Sequence, residues 1–317
     1  MPRCCAPTSP AEARSRPRTT HRATRCKGDD AVSTKENAGR GERRAGPPQA
    51  SESPLGGQRG HEVPSVGAAR LALSCLDLTS LDDSDDAAAI EALCAKAQGP
   101  AGPPAALCVW PRFVAQARAA LPASIRVAAV ANFPDGALDA ARALRETQAI
   151  LDAGGDEVDL VLPWRALAAG DAAGAADLVA QVRAACAGKT LKLIIESGEL
   201  HSPELIRQAC RIGLDAGVDF LKTSTGKTAT GATPDAARVM LEAIAGHARK
   251  EEVGFKASGG VRTVADAAIY IALVREMLGE SAIGPKRLRF GASGLLADIE
   301  SVLLQKGPGK ASALGDY

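Results

Sequence analysis

The chain has 317 residues, 46% of them hydrophobic and only 3% aromatic, so its core must be built from Ala, Val, Leu and Ile. A net charge of +1 argues neither for nor against a nucleic-acid partner. No stretch reaches the roughly 18 consecutive apolar residues of a membrane helix, and the N-terminus lacks the apolar segment of a secretory signal.

The balanced total hides an asymmetry: residues 1–60 hold 12 Lys and Arg against 6 Asp and Glu, and the remainder is mildly acidic. Residues 1–64 are rich in Arg, Pro, Gly, Ser and Thr and show no hydrophobic period. They are expected to be a disordered extension. A dispensable extension or an upstream start codon is the plainest reading. An organelle transit peptide or a nucleic-acid contact are the alternatives, the latter weakened by the absence of aromatics for stacking. Eight cysteines lie without a CxxC pair, as expected for single thiols in a reducing, cytoplasmic compartment.

From Gly67 onward short apolar runs alternate with longer helical patterns. The runs are "LALSCLDL" (71–78), "AALCVW" (105–110), "RVAAVAN" (126–132), "EVDLVL" (157–162), "TLKLIIE" (190–196), "VDFLKT" (218–223), "VGFKAS" (253–258) and "RLRFGAS" (287–293). Most are continuously apolar, as strands of a parallel sheet covered on both faces must be. Helix signals lie between them. Ser84 stands as an N-cap before "DDAAAIEALCAKAQG" with Gly99 as the stop, and Pro203 and Pro234 follow Ser202 and Thr233. Thr263 and Asp266 make a capping box, and Gly154, Gly217 and Gly246 mark helix ends. The alternation predicts a (β/α)₈ TIM barrel over residues 65–306. A doubly wound open sheet is the alternative, but no G-x-G-x-x-G follows the first strand. Residues 307–317 form an expected flexible tail ending in Tyr317.

In such a barrel the chemistry sits at the C-terminal ends of the strands. Polar residues fall mostly there: Asp77 and Thr79, Cys108, Asn132, Glu196, Lys222 and Lys256, with Asp159 inside the apolar run of strand four. Lys222 and Lys256 lie on consecutive strands, which places their ammonium groups side by side. A neighbouring cation and burial both depress a lysine pKa, and a neutral amine attacks carbonyls to form a Schiff base. Both lysines could instead be structural, paired with Asp159, Asp77 or Glu196. Asp159 is a proton relay or a salt-bridge partner. After strands six, seven and eight come "TSTGK" (Gly226, Lys227), "SGGVR" (Gly259, Gly260, Arg262) and "GASG" (Gly291, Ser293, Gly294), where glycine lets backbone N–H groups approach a phosphate. Four histidines without ligand spacing argue against a metal.

The stretches "LDLTSL", "VWPRF", "ANFPDG", "GGDEVDLVLPWRAL", "IIESGEL", "DFLKTSTGK", "VGFKASGGVRT" and "RFGASGLL", in this order from about Leu71 to the C-terminus, resemble the deoxyribose-phosphate aldolase family. The resemblance implies reversible cleavage of 2-deoxy-D-ribose 5-phosphate to acetaldehyde and D-glyceraldehyde 3-phosphate, with no cofactor. It implies Lys222 as the Schiff-base lysine, Lys256 as the cation beside it and Asp159 as the proton relay. Asp77 and Thr79 would line the pocket, and Cys108 matches a thiol that reacts with an aldehyde adduct in some members. Gly226, Lys227, Gly259, Gly260, Arg262, Gly291 and Ser293 match the phosphate region. Tyr317 matches a terminal tyrosine that assists proton transfer. Gly294 stands where some relatives have a second serine, so one hydroxyl contact to phosphate is lost. The implied partners are small phosphosugars and aldehydes, with no metal and no membrane. Assembly is left open, with a homodimer as one option. Competing readings are another Schiff-base aldolase or transaldolase, and a non-catalytic phosphosugar-binding barrel.

Overall fold

The computed structural model describes residues 65–304. The N-terminal extension and the tail with Tyr317 lie outside the described residues. Eight strands, β1 (Leu76–Thr79), β2 (Ala106–Val109), β3 (Arg126–Ala131), β4 (Glu157–Val161), β5 (Thr190–Ile194), β6 (Phe220–Lys222), β7 (Gly254–Ser258) and β8 (Leu288–Ala292), close into a barrel. Every neighbouring pair is parallel, and β8 pairs with β1. A helix follows each strand, from Ala87–Lys96 after β1 to Leu295–Leu303 after β8. The expected barrel is therefore found, and closure leaves no sheet edge exposed.

Helix starts follow the capping chemistry read from the sequence. Ser202 Oγ accepts from Leu205 N, Thr233 Oγ1 accepts from Ala236 N, and each has proline at the first helical position. Thr263 and Asp266 form the reciprocal capping box at the start of Val264–Leu278. Gly217 ends Pro203–Ala216 with φ of 84°, a left-handed conformation that favours glycine.

Two expectations are corrected. The run 71–78 is not one strand: Val66–Ser74 is a helix and β1 begins at Leu76. The reason is periodicity. Ser65 caps Ala68 N, and Ala69, Ala72 and Leu73 recur at helical spacing to bury one stripe. That stripe packs toward Val264–Leu278 and Leu295–Leu303. The cap of the next helix is Asp86, not Ser84: Asp86 Oδ1 accepts from Ala89 N at 2.8 Å, while Ser84 bonds back to Asp82 in the preceding turn. A carboxylate two residues nearer the helix leaves Ser84 outside it.

Candidate active site

Alternate strand residues turn inward, and on β1, β4, β5, β6, β7 and β8 several of these are charged rather than aliphatic. Asp159, at the centre of β4, is the hub. Its Oδ2 accepts from Lys222 Nζ at 2.8 Å and from Lys256 Nζ at 2.7 Å, and its Oδ1 accepts from Lys192 Nζ at 2.7 Å. Asp77 Oδ2 lies 2.5 Å from Lys256 and 3.4 Å from Lys192, and its Oδ1 accepts from Arg289 at 2.6 Å. Glu157 joins Lys192 at 2.5 Å and Arg289 at 2.9 Å. Strand register explains the juxtaposition: Asp159 pairs with Lys192, Lys222 with Lys256, and Lys256 with Arg289. All of these groups are buried.

The three lysines are not equivalent. Lys192 is held by Asp159, Glu157 and Asp77, Lys256 by Asp159 and Asp77, and Lys222, among the described residues, by Asp159 alone. Burial works against the charge on each. For Lys192 and Lys256 the facing carboxylates outweigh it and hold both ammonium groups above the ordinary lysine value. For Lys222 burial prevails: one shared carboxylate does not compensate, the Lys256 cation adds repulsion, and its pKa is lowered. Burial would raise Asp159, but Lys192, Lys222 and Lys256 together pull it well below the usual carboxylate range. The lysine that gives up its proton most readily of the three thus stands at the last residue of β6.

The mouth itself is shaped by backbone. Glu196, just past β5, has a left-handed φ of 53° and accepts from Thr225 N and from Thr228 Oγ1 at 3.2 Å, fixing the loop that follows Lys222. Gly226, Gly259 and Gly260 have φ of 80°, 81° and 84°. A Cβ on Gly231 would stand 2.5 Å from Gly259 O, so the loops after β6 and β7 pass closer than side chains allow. Ala232 N donates to Ser258 O and Gly259 O at 3.0 Å, tying the two loops together.

The structure brings Lys222, Lys256, Asp159 and Asp77 into one cluster, with Cys108 paired in register to Thr79 on the adjacent strand. Burial, and then the Asp159 charge, push the Cys108 thiol up, so it is held as a thiol. Asp77, expected to line the pocket, is completely buried beside Lys256 as its counter-ion. Thr79 Oγ1 donates to Asp77 O at 2.8 Å. Gly226, Lys227, Gly259 and Gly260 sit together at the mouth, Arg262 follows at the start of the helix with its N–H on Asp266, and Ser293 is exposed after β8. Gly291 has a further use: a Cβ there would meet Lys256 Cε at 3.0 Å and Ser258 Oγ at 2.7 Å, so its bareness leaves room for the lysine. Tyr317 lies outside the described residues. Sequence reasoning missed Lys192, Glu157 and Arg289. The signal for Lys192 was present, since a lysine between Leu191 and Leu193 in a buried strand must have a carboxylate partner.

Similarity to known proteins agrees with this arrangement. The model of the DeoC/LacD family aldolases matches residues 71–298. A deoxyribose-phosphate aldolase of Agrobacterium fabrum is 47% identical over 249 residues, covering 78% of this chain and 95% of that protein. A solved structure from Toxoplasma gondii ME49, assigned as a deoxyribose-phosphate aldolase, superposes with a TM-score of 0.71 at 25% identity, covering 76% of this chain and 95% of the other. One from Coccidioides immitis, with the same assignment, gives 0.64 at 27% identity, covering 72% and 85%. With a match that spans every strand and the buried lysine cluster, the chain belongs to the DeoC/LacD aldolase family.

Proposed function

We propose that this chain is a class I deoxyribose-phosphate aldolase in which Lys222 carries the substrate as an imine. The observation that supports this reading best is the gradient of carboxylate contacts across the three lysines, which leaves the mouth-facing Lys222 as the amine that loses its proton. Its neutral Nζ attacks the C1 aldehyde of open-chain 2-deoxy-D-ribose 5-phosphate. Asp159, 2.8 Å away, moves protons as the carbinolamine loses water. The iminium then withdraws electrons, the C3 hydroxyl loses its proton, and the C2–C3 bond breaks. D-Glyceraldehyde 3-phosphate departs and a two-carbon enamine stays on Lys222. Protonation of the enamine carbon by water or Tyr317, and hydrolysis, release acetaldehyde. Lys256, fixed by Asp77 and Asp159, keeps positive charge beside the nitrogen throughout. The backbone at Gly226, Gly259 and Gly260, with Lys227, Arg262 and Ser293, would receive the phosphate. These steps need no metal or organic cofactor, because the imine itself is the electron sink. The reading carries with it a cytoplasmic location and a homodimer as the assembly to test by sedimentation.

The test is turnover of 2-deoxy-D-ribose 5-phosphate by the full chain, with acetaldehyde followed through a coupled reductase. Cleavage that survives EDTA and falls at least about 10³-fold in Lys222→Met is expected. Cleavage of a different phosphosugar in its place, or activity retained in Lys222→Met, would contradict it.

A further inference from the structure

The buried cluster has one base too many. Among the described residues four basic groups, Lys192, Lys222, Lys256 and Arg289, meet three carboxylates, Asp77, Glu157 and Asp159. Glu196 faces Lys222 from the mouth as a further buried carboxylate, but burial raises its pKa and it is tied to Thr225 and Thr228. The excess of positive charge below it therefore favours one base giving up its proton. Arg289 cannot, because a guanidinium stays protonated in proteins. Lys192 and Lys256 are each held by more than one carboxylate. The deprotonation therefore falls on Lys222.

Arg289 is far from the mouth. It lies near the start of β8, and with Glu157 it lines a concavity of about 660 Å³ at the opposite, N-terminal end of the barrel. Two routes connect it to the nucleophile. One runs through Asp77 Oδ1, then Asp77 Oδ2 to Lys256 at 2.5 Å, then Asp159 at 2.7 Å. The other runs through Glu157 to Lys192 at 2.5 Å and on to Asp159 at 2.7 Å. Both end on the carboxylate that holds Lys222.

We propose that Arg289 is a positioning residue for the nucleophile: its permanent charge occupies carboxylate capacity in Asp77 and Glu157 that would otherwise be free to stabilise the protonated form of Lys222. The inference rests on Lys222 being the imine-forming lysine. The groups that face the cluster are Asp77 from β1, Cys108 from β2, Glu157 and Asp159 from β4, Lys192 from β5 with Glu196 beyond it, Lys256 from β7 and Arg289 from β8. From β3 come Ala128 and Val130, which do not titrate. Cys108 stays a thiol, and Glu196 is engaged by Thr225 and Thr228. Charge on Lys222 is thus set chiefly by the balance of the remaining six, with Glu196 a weaker attraction from the mouth.

The sign follows directly. Activity needs neutral Lys222, so kcat/KM falls as pH drops through its pKa. Removing a remote cation raises that pKa and moves the acid limb to higher pH. Arg289→Gln is expected to shift the limb up by about one unit, costing up to about tenfold in kcat/KM on its acid side. Arg289→Lys, which keeps the charge, should stay near wild type. Glu157→Gln should shift the limb down, and the double variant should return toward wild type. A purely structural role for Arg289 would lower activity without moving the limb. An unmoved limb in Arg289→Gln, or an equal shift in Arg289→Lys, would overturn the inference. If Arg289→Gln fails to fold, Glu157→Gln decides: an unmoved or raised limb overturns it. Borohydride trapping separates the two levels. No adduct on Lys222 in the wild type defeats the nucleophile reading itself, whereas an adduct with an unmoved limb defeats only the role of Arg289.

Discussion

At the closed end of the barrel interior, Arg289, Glu157 and Lys192 are locked to one another and to Asp77 by charge-assisted bonds of 2.5–3.4 Å. At the open end, Lys222 touches one carboxylate oxygen that it shares with Lys256, and the surrounding walls are glycine loops. The same chemistry, lysine facing aspartate, gives opposite results at the two ends. Where carboxylates are plentiful the lysine pKa is raised, and where the one carboxylate is shared it is lowered. Reactivity here is set by how the carboxylates are distributed, since burial alone acts on all three lysines.

The comparison breaks most completely if its hub is removed. Asp159→Asn leaves Lys192 and Lys256 short of a counter-ion and removes the proton relay. kcat should fall by about 10³-fold, and stability by about 3–5 kcal/mol because buried charges lose their partner. Steady-state kinetics and denaturant melts would check both. Lys256→Leu attacks the asymmetry rather than the hub. With the neighbouring cation gone, kcat/KM should drop about 10²-fold near neutrality, and the acid limb of its pH profile should move upward. Gly291→Ala probes the space Lys256 needs. A methyl 3.0 Å from Lys256 Cε should lower kcat about tenfold while KM changes little. Gly259→Ala probes the mouth instead. It places a side chain at φ of 81° and 2.9 Å from Gly231 Cα, so KM for the phosphorylated substrate should rise about tenfold, with the phosphate-free sugar unaffected. Thr263→Ala reaches the mouth only indirectly, through the helix start that follows Arg262. Losing the cap should cost about 1 kcal/mol, a melting-temperature drop of about 2–4 °C, with kinetics changed less than by Gly259→Ala.

The barrel was legible because both-face burial makes each strand an apolar run and because Ser202, Thr233, Thr263 and Gly217 punctuate the helices by local chemistry. Lys222, Lys256 and Asp159 were legible because each interrupts such a run, Lys222 at the end of its strand and Asp159 in the middle of its own. The floor was not. Glu157 opens β4 and Arg289 lies near the start of β8, where charged residues ordinarily face solvent. They reach the level of Lys192, in the middle of β5, only because strands in a closed barrel are staggered, and stagger cannot be read from one strand at a time. The helix at Val66–Ser74 was hidden by a related limit: a short apolar run has no length with which to separate period 2 from period 3.6. Ser84 lost to Asp86 because several capping residues adjoin there, and only the backbone turn chooses among them.

The most direct test of the account is borohydride reduction of the full chain with acetaldehyde near neutral pH, followed by peptide mapping across the three buried lysines. The account predicts a two-carbon adduct on Lys222 and none on Lys192 or Lys256, whose carboxylates keep them protonated. An adduct on Lys256 or Lys192, with Lys222 unmodified, would contradict it.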